Sequence, residues 1–174
     1  MKALNSIIGA LVVVSATAFS APSQAATAYR VAINHASAAC MGSSQHDRNV
    51  LQAEAMTLYN ASGDTPADVK CGGVATPYNN GGDVELYETA ITNDTGESVD
   101  VNCSLADGVQ DGTFTVATMY PKTITIGAGN VGYIDWTTDD TGGPNFVFPS
   151  LVCQLPMNVG ISYTAVVYQV DVGQ

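Results

Sequence analysis

Positive charge is scarce in this chain. Its 174 residues carry five Lys and Arg against sixteen Asp and Glu, a formal net charge of −11. Such a surface repels the phosphates of nucleic acid and of anionic lipid, which excludes binding to either through phosphate contacts. Catalytic motifs are also lacking. There is no Gly-x-Ser-x-Gly, and Gly160-Ile-Ser162 is embedded in an apolar segment. Carboxylate pairs such as Asp139-Asp140 or Glu85 with Glu88 fall on turns or strand faces, with nothing beside them to separate their pKa values. The chain is therefore expected to be non-enzymatic and to need no cofactor. Cys-x-x-Cys is absent, and successive cysteines lie 31, 32 and 50 residues apart, which argues against a structural zinc. No apolar run reaches the about 20 residues of a membrane-spanning helix.

The first residues have a separate character. Lys2 gives a positive start, Ile7 to Phe19 is an apolar core, and Ser23-Gln24-Ala25 is a small-x-small cleavage site. Residues 1–25 are expected to be a cleaved secretory signal peptide, and 26–174 a single domain that is secreted or periplasmic. Cleavage removes Lys2 and leaves four cations against sixteen carboxylates. The acidity is that of a soluble extracellular surface. Four cysteines remain, Cys40, Cys71, Cys103 and Cys153. An even count in an exported domain predicts two disulfides, for which three connectivities exist.

The mature chain reads as strands. Tyr29, Val31 and Ile33 alternate in a first strand, Tyr29–Asn34. Ala36–Asn49 is polar, holds Cys40, His35 precedes it, and it reads as a long loop. Val50–Asn60 fits either a helix capped by Asp47 or a strand. An internal echo favours a strand over 55–60. Asn60-Ala-Ser62 leads to Val69-Lys-Cys71, and Asn93-Asp-Thr95 leads to Val101-Asn-Cys103. Asn tolerates left-handed backbone and bonds its own chain, so each unit is predicted to be a hairpin. A Val two before each Cys sends both side chains to one inward face. Val84–Thr92, Phe114–Tyr120, Ile124–Ile126 and Val131–Trp136 follow, with Pro121 stopping a strand or placing it at an edge. Phe146–Val172 closes the chain as a strand, a short turn and a longer strand. Eight to nine short strands with regular turns predict an all-β, two-sheet antiparallel sandwich, Ig-like or jelly-roll-like.

These elements carry a resemblance. An early Cys40 is followed by Asn60-Ala-Ser62 with Val69-Lys-Cys71, then Val101-Asn-Cys103-Ser-Leu105, then Leu151-Val-Cys153-Gln-Leu-Pro156 and Tyr168-Gln-Val170. This order resembles a family of uncharacterised secreted proteobacterial β-sandwich proteins with four cysteines. Family members tend to have Cys-Pro-Leu where this chain has Cys71-Gly-Gly. The resemblance implies fold and compartment and brings no activity with it. Taken with that pattern, the pairing expected is Cys40–Cys71 and Cys103–Cys153, each worth about 3–4 kcal/mol on the chain-entropy model.

Several residue groups could form sites. Asp107 with Asp111, Asp135 with Asp139 and Asp140, and Asn79-Asn80 with Asp83 gather the oxygens that calcium takes, though none has EF-hand spacing. Asp, Asn and Gly are also ordinary turn residues. His35, His46 and Asp47 could hold a metal, or simply face solvent. Trp136, Tyr133, Tyr120 and Tyr78 could stack on sugars, or pack the core. Asn60, Asn93 and Asn102 head Asn-x-Ser/Thr sequons, read here as turn and strand chemistry. Two functions follow. One is a secreted structural or interaction module that self-associates through an edge strand, Tyr29–Asn34 being the candidate. The other is a carbohydrate-binding sandwich, with or without calcium. Partners would be other protein subunits or an extracellular polymer.

Overall fold

A computed structural model describes residues 27–72, 84–111, 114–143 and 145–171, with side chains described except at 109–111, 114–116 and 171. The expected signal peptide, Tyr78, Asn79, Asn80 and Asp83 lie outside these residues, as does the side chain of Asp111. The elements in order are β1 (Thr27–His35), α1 (Ala36–Ala39), β2 (Cys40–Gly42), α2 (Gln45–Val50), β3 (Leu51–Glu54), β4 (Thr57–Asn60) and β5 (Ala67–Cys71). Then come β6 (Val84–Asn93), β7 (Val99–Asp111), β8 (Phe114–Ile126), β9 (Val131–Thr137), α3 (Thr138–Thr141), β10 (Ser150–Leu155) and β11 (Val159–Asp171).

The strands form two antiparallel sheets. Sheet A has the order β3-β4-β11-β6-β9, with β1 also paired to β11; sheet B has the order β2-β5-β10-β7-β8. The pairs are nested: β7 with β8, β6 with β9, β5 with β10, β4 with β11. Four strands go out and four return; apart from the β7–β8 hairpin at the far end, successive strands from β4 to β11 alternate between sheets. This is the wrapped double Greek key of a jelly roll, which decides between the two expected sandwich types. β1 and the short strands β2 and β3 are added around it.

Alternation makes the core. Inward positions Val69, Tyr87, Ile91, Val101, Leu105, Trp136, Leu151, Leu155, Ile161 and Val166 are all fully buried. Tyr87 and Trp136 meet edge to face with ring centroids 6.2 Å apart. The Val-x-Cys positions point inward as expected. Both disulfides bond directly opposed residues of neighbouring strands in sheet B: Cys40–Cys71 joins β2 to β5, and Cys103–Cys153 joins β7 to β10.

Three expectations are corrected. The two Asn units are not hairpins, because β4 and β6 lie in sheet A while β5 and β7 lie in sheet B. The asparagines are the reason the chain can leave its sheet. Asn60 and Asn93 are fully buried. Asn60 Nδ2 donates to Thr65 O (2.8 Å) and across to Leu155 O at the end of β10 (2.9 Å), while Oδ1 accepts from Ser62 N (3.0 Å). Asn93 Nδ2 donates to Glu97 O (2.8 Å), to Gly127 O (3.0 Å) and across to Ile126 O at the end of β8 (3.0 Å). Each side chain thus satisfies its own arch and a carbonyl of the opposite sheet.

The polar stretch 36–49 is also not a long loop. It holds α1, β2 and the start of α2. Ser44 Oγ accepts from Asp47 N (3.1 Å) and Asp47 Oδ2 accepts from Ser44 N (2.8 Å), a reciprocal capping box. Asp47 therefore sits inside a helix that ends where one was considered to begin. Gly42 is required here, since a Cβ would lie 2.4 Å from Arg48 N. Finally, Phe146–Val172, expected to close the sandwich as a strand pair joined by a short turn, does not form one: β10 and β11 belong to opposite sheets, joined through Asn158 at φ 55°. Pro121 lies within β8, an edge strand of sheet B, which is where a sheet tolerates proline, and it does not end the strand.

Candidate functional site

The outer face of sheet A combines exposed aromatic, aliphatic and polar side chains. Register fixes its rows. Across the strands one row reads His35 of β1, Tyr163 of β11, Ala90 of β6 and Tyr133 of β9. The next reads Ile33, Ala165, Glu88 and Asp135, and the one beyond Val31, Val167, Leu86 and Thr137. Tyr133 is 56% exposed, while Ala90, flanked by the two tyrosines, is only 2% exposed.

A β-bulge shapes the end of this face. Register shifts between Ile161 and Tyr163 of β11, leaving Ser162 as the extra residue. Such a bulge lets two successive side chains share a face. Ser162 Oγ lies 3.3 Å from Thr57 Oγ1 and 3.0 Å from Thr92 Oγ1, so a row of three hydroxyls runs from β4 to β6. Tyr163 beside it donates to Glu88 Oε1 at 2.7 Å. That bond, reinforced by partial burial, pushes the Tyr163 pKa up to about 12. Tyr59 of β4 completes the group. Its ring lies over Gly160, where a Cβ would come within 2.6 Å of Cδ1. Glycine is thus what lets the ring lie close to the sheet.

β1 forms one margin of this face. Its alternation places Tyr29, Val31 and Ile33 outward, 61%, 61% and 58% exposed. On the opposite face Ala28 opposes Val170 and Ala32 opposes Val166, both partly buried against the core, while Arg30 between them is exposed. Among the described residues β1 pairs only with β11, so its other edge carries unpaired backbone groups.

The other expected site residues are dispersed. Trp136 is corrected from a candidate stacking residue to a core residue: it is fully buried, and its Nε1 donates to Tyr120 O at 2.8 Å. Tyr120 is half-buried and packs against the same core. Of the candidate aromatics, Tyr133 alone is placed on the outer face of sheet A among the described residues. Asp107 Oδ1 accepts from Val147 N and Phe148 N at 2.8 and 2.9 Å, which fixes the chain entering β10. Asp140 accepts from Thr137 N at 2.8 Å and pairs with Lys122 Nζ at 2.8 Å. Both contacts hold its carboxyl below the ordinary range, Lys122 being the larger cause. Lys122 Nζ also donates to Asp135 O and stands 6.0 Å from the Trp136 ring centroid. The cation beside Asp135 and Asp140 is therefore the protein's own ammonium, and Asp139 is exposed. His35 is exposed at the end of β1. His46 faces Thr65, and Asp47 is committed to its capping box. Among the described residues no three His, Cys, Asp or Glu side chains are grouped to hold a metal. Sequence reasoning missed Tyr59, Tyr163 and the hydroxyl row, which depend on the bulge and on strands distant in sequence.

No family model and no curated protein matches the sequence. Solved structures do. A Podospora anserina GH26-CBM35 β-(1,4)-mannanase aligns at 9% identity and TM-score 0.40, over 78% of this chain and 27% of that one. A family 16 carbohydrate-binding module aligns at 12% identity and TM-score 0.35, over 71% and 82%. A CBM4 structure aligns at 10% identity and TM-score 0.35, over 83% and 86%. The chain spans about a quarter of the mannanase.

Proposed function

We propose that the protein is a secreted or periplasmic, non-catalytic interaction module that self-associates through β1. The observation supporting this is the outward stripe Tyr29, Val31 and Ile33 on a strand whose second edge meets no other among the described residues. Two disulfides, with no free cysteine among the described residues, suit an oxidising compartment.

β1 is self-complementary. An antiparallel copy about a twofold axis at Val31 sets Val31 against its own counterpart, Tyr29 against Ile33 and Thr27 against His35. The three apolar side chains of each copy then form one continuous outer stripe. β1 contains Arg30 and no carboxylate. It is thus a place where two chains of strongly negative charge can meet without opposing acids.

The test is sedimentation equilibrium of residues 26–174 over a wide concentration range. A reversible dimer is expected. Val31→Lys places two ammonium groups at the axis on an exposed position, and should give a monomer with unchanged melting temperature. A wild-type protein that stays monomeric at millimolar concentration, or a Val31→Lys dimer of equal strength, would overturn the reading.

A further inference from the structure

We infer that the outer face of sheet A, away from β1, is a binding shelf for a neutral, extended polysaccharide of β-linked hexoses, with Tyr133 and Tyr163 as its stacking rings. Three features of the face specify that chemistry.

The first is spacing. Tyr133 and Tyr163 stand in one row with Ala90 between them. They are two strand spacings apart, about 10 Å. That is the disaccharide repeat of an extended β-linked chain, so one ring can lie under every second sugar. Ala90 is small enough to leave the path between the rings flat. Aromatic rings bind the apolar faces of pyranoses through the same dispersion and C–H contacts that pack them elsewhere.

The second is hydrogen-bonding character. The shelf is bordered by acceptors and two-way groups: the Glu88 and Asp135 carboxylates on one side, and the Thr57, Ser162 and Thr92 hydroxyls on the other. A polyol supplies matching donors around each ring. Tyr163 is preset for this, because its bond to Glu88 holds the phenol in place before any ligand arrives. The bulge at Ser162 brings the hydroxyl row and the Tyr163 ring to the same face, which a regular strand would forbid.

The third is charge. The shelf carries Glu88 and Asp135, and the chain is strongly acidic. Polyuronates and sulfated polymers are repelled, so the glycan is neutral. The shelf shares sheet A with β1 but uses none of the β1 side chains that self-association would cover.

The experiment is calorimetric titration of residues 26–174 with neutral β-linked hexaoses, with a polyuronate hexamer as the charged control. Binding of at least one neutral hexaose is expected, with none of the polyuronate. Tyr133→Ala should weaken it at least tenfold, since Tyr133 is exposed and its loss leaves the fold intact. Tyr163→Phe keeps the ring and should weaken it less than Tyr163→Ala. Binding should persist in Val31→Lys, which separates this shelf from β1. Absence of binding to every neutral hexaose, binding unaffected by Tyr133→Ala, or binding of the polyuronate alone would each overturn the inference.

Discussion

Replacing Asn93 by alanine tests whether one buried amide holds the two sheets in register. Asn93 makes five contacts. Nδ2 reaches three carbonyls, so one of its two hydrogens is shared, and Oδ1 accepts from Thr95 N at 2.9 Å and Thr95 Oγ1 at 2.7 Å. The bond to Ile126 O is fully buried, while the others are partly buried and can recruit water. An acceptor stranded in the interior costs about 1–3 kcal/mol, and water repairs the exposed bonds only in part, so the expected loss is about 3–4 kcal/mol. Asn60 strands one fully buried acceptor, Leu155 O, and loses fewer bonds in total. Its alanine variant should lose about 2–3 kcal/mol by the same reasoning. Urea unfolding of the oxidised domain gives both values. Asn93→Asp would turn a carboxylate toward the same carbonyls. Its pKa would be raised in the folded state, so it should be destabilised at neutral pH and recover as pH falls. A loss below about 1 kcal/mol for both alanine variants, no more than an average point substitution costs, would refute the bridging role.

Two further outcomes are expected. The Asp47 carboxyl is held below its ordinary value mainly by its bond with the Ser44 side chain, with Asp68 and Ser44 amides adding to this. A depressed folded pKa contributes stability that is full above the unfolded value and is lost as pH falls through the folded one. Asp47→Asn should therefore flatten the dependence of unfolding free energy on pH between about pH 5 and pH 2; an unchanged slope in urea midpoints would contradict it. Tyr87 Oη and Thr164 Oγ1 are both buried and neither meets a partner at hydrogen-bonding geometry among the described residues; burial pushes the Tyr87 pKa above the ordinary phenol value, and the nearby Thr164 hydroxyl opposes this only in part. Tyr87→Phe should stabilise the domain by about 1 kcal/mol, read as a raised melting temperature, and a clear loss would show that the hydroxyl has a partner.

Much of this structure can be read from residue order. Alternation around Val69, Cys71, Val101 and Cys103 predicts an inward face, and these residues are buried. The Asn60 and Asn93 echo predicts that both asparagines bond their own chain, as they do, although the units are arches and not the hairpins expected. Sheet membership could not follow from it, because β4 and β6 are placed by β11, about 70 to 100 residues further on. The Ser44-Gln-His-Asp47 capping box was legible as a motif, but no apolar run follows it to announce a helix. On β9, Val131 and Tyr133 alternate with Ile134 and Trp136, so both faces are apolar and pattern alone cannot choose the inner one. The core decides: Trp136 meets Tyr87 and the Tyr120 carbonyl, leaving Tyr133 outside. The bulge at Ser162 has no sequence signature, and without it Tyr163 would not reach the candidate face.

The two disulfides close loops that neither overlap nor enclose one another. A single backbone cut between Cys40 and Cys71, or between Cys103 and Cys153, therefore leaves one covalent molecule. A cut between residues 72 and 102 instead yields two pieces with no bond in common, one ending beyond β5 and the other holding most of both sheets. Covalent continuity after a cut is accordingly uneven along the chain. Damage in either cysteine loop is hidden until reduction, whereas the two pieces left by damage in the connecting stretch are held only by the pairing of β1 and β4 with β11 and of β5 with β10, and part on unfolding without reduction.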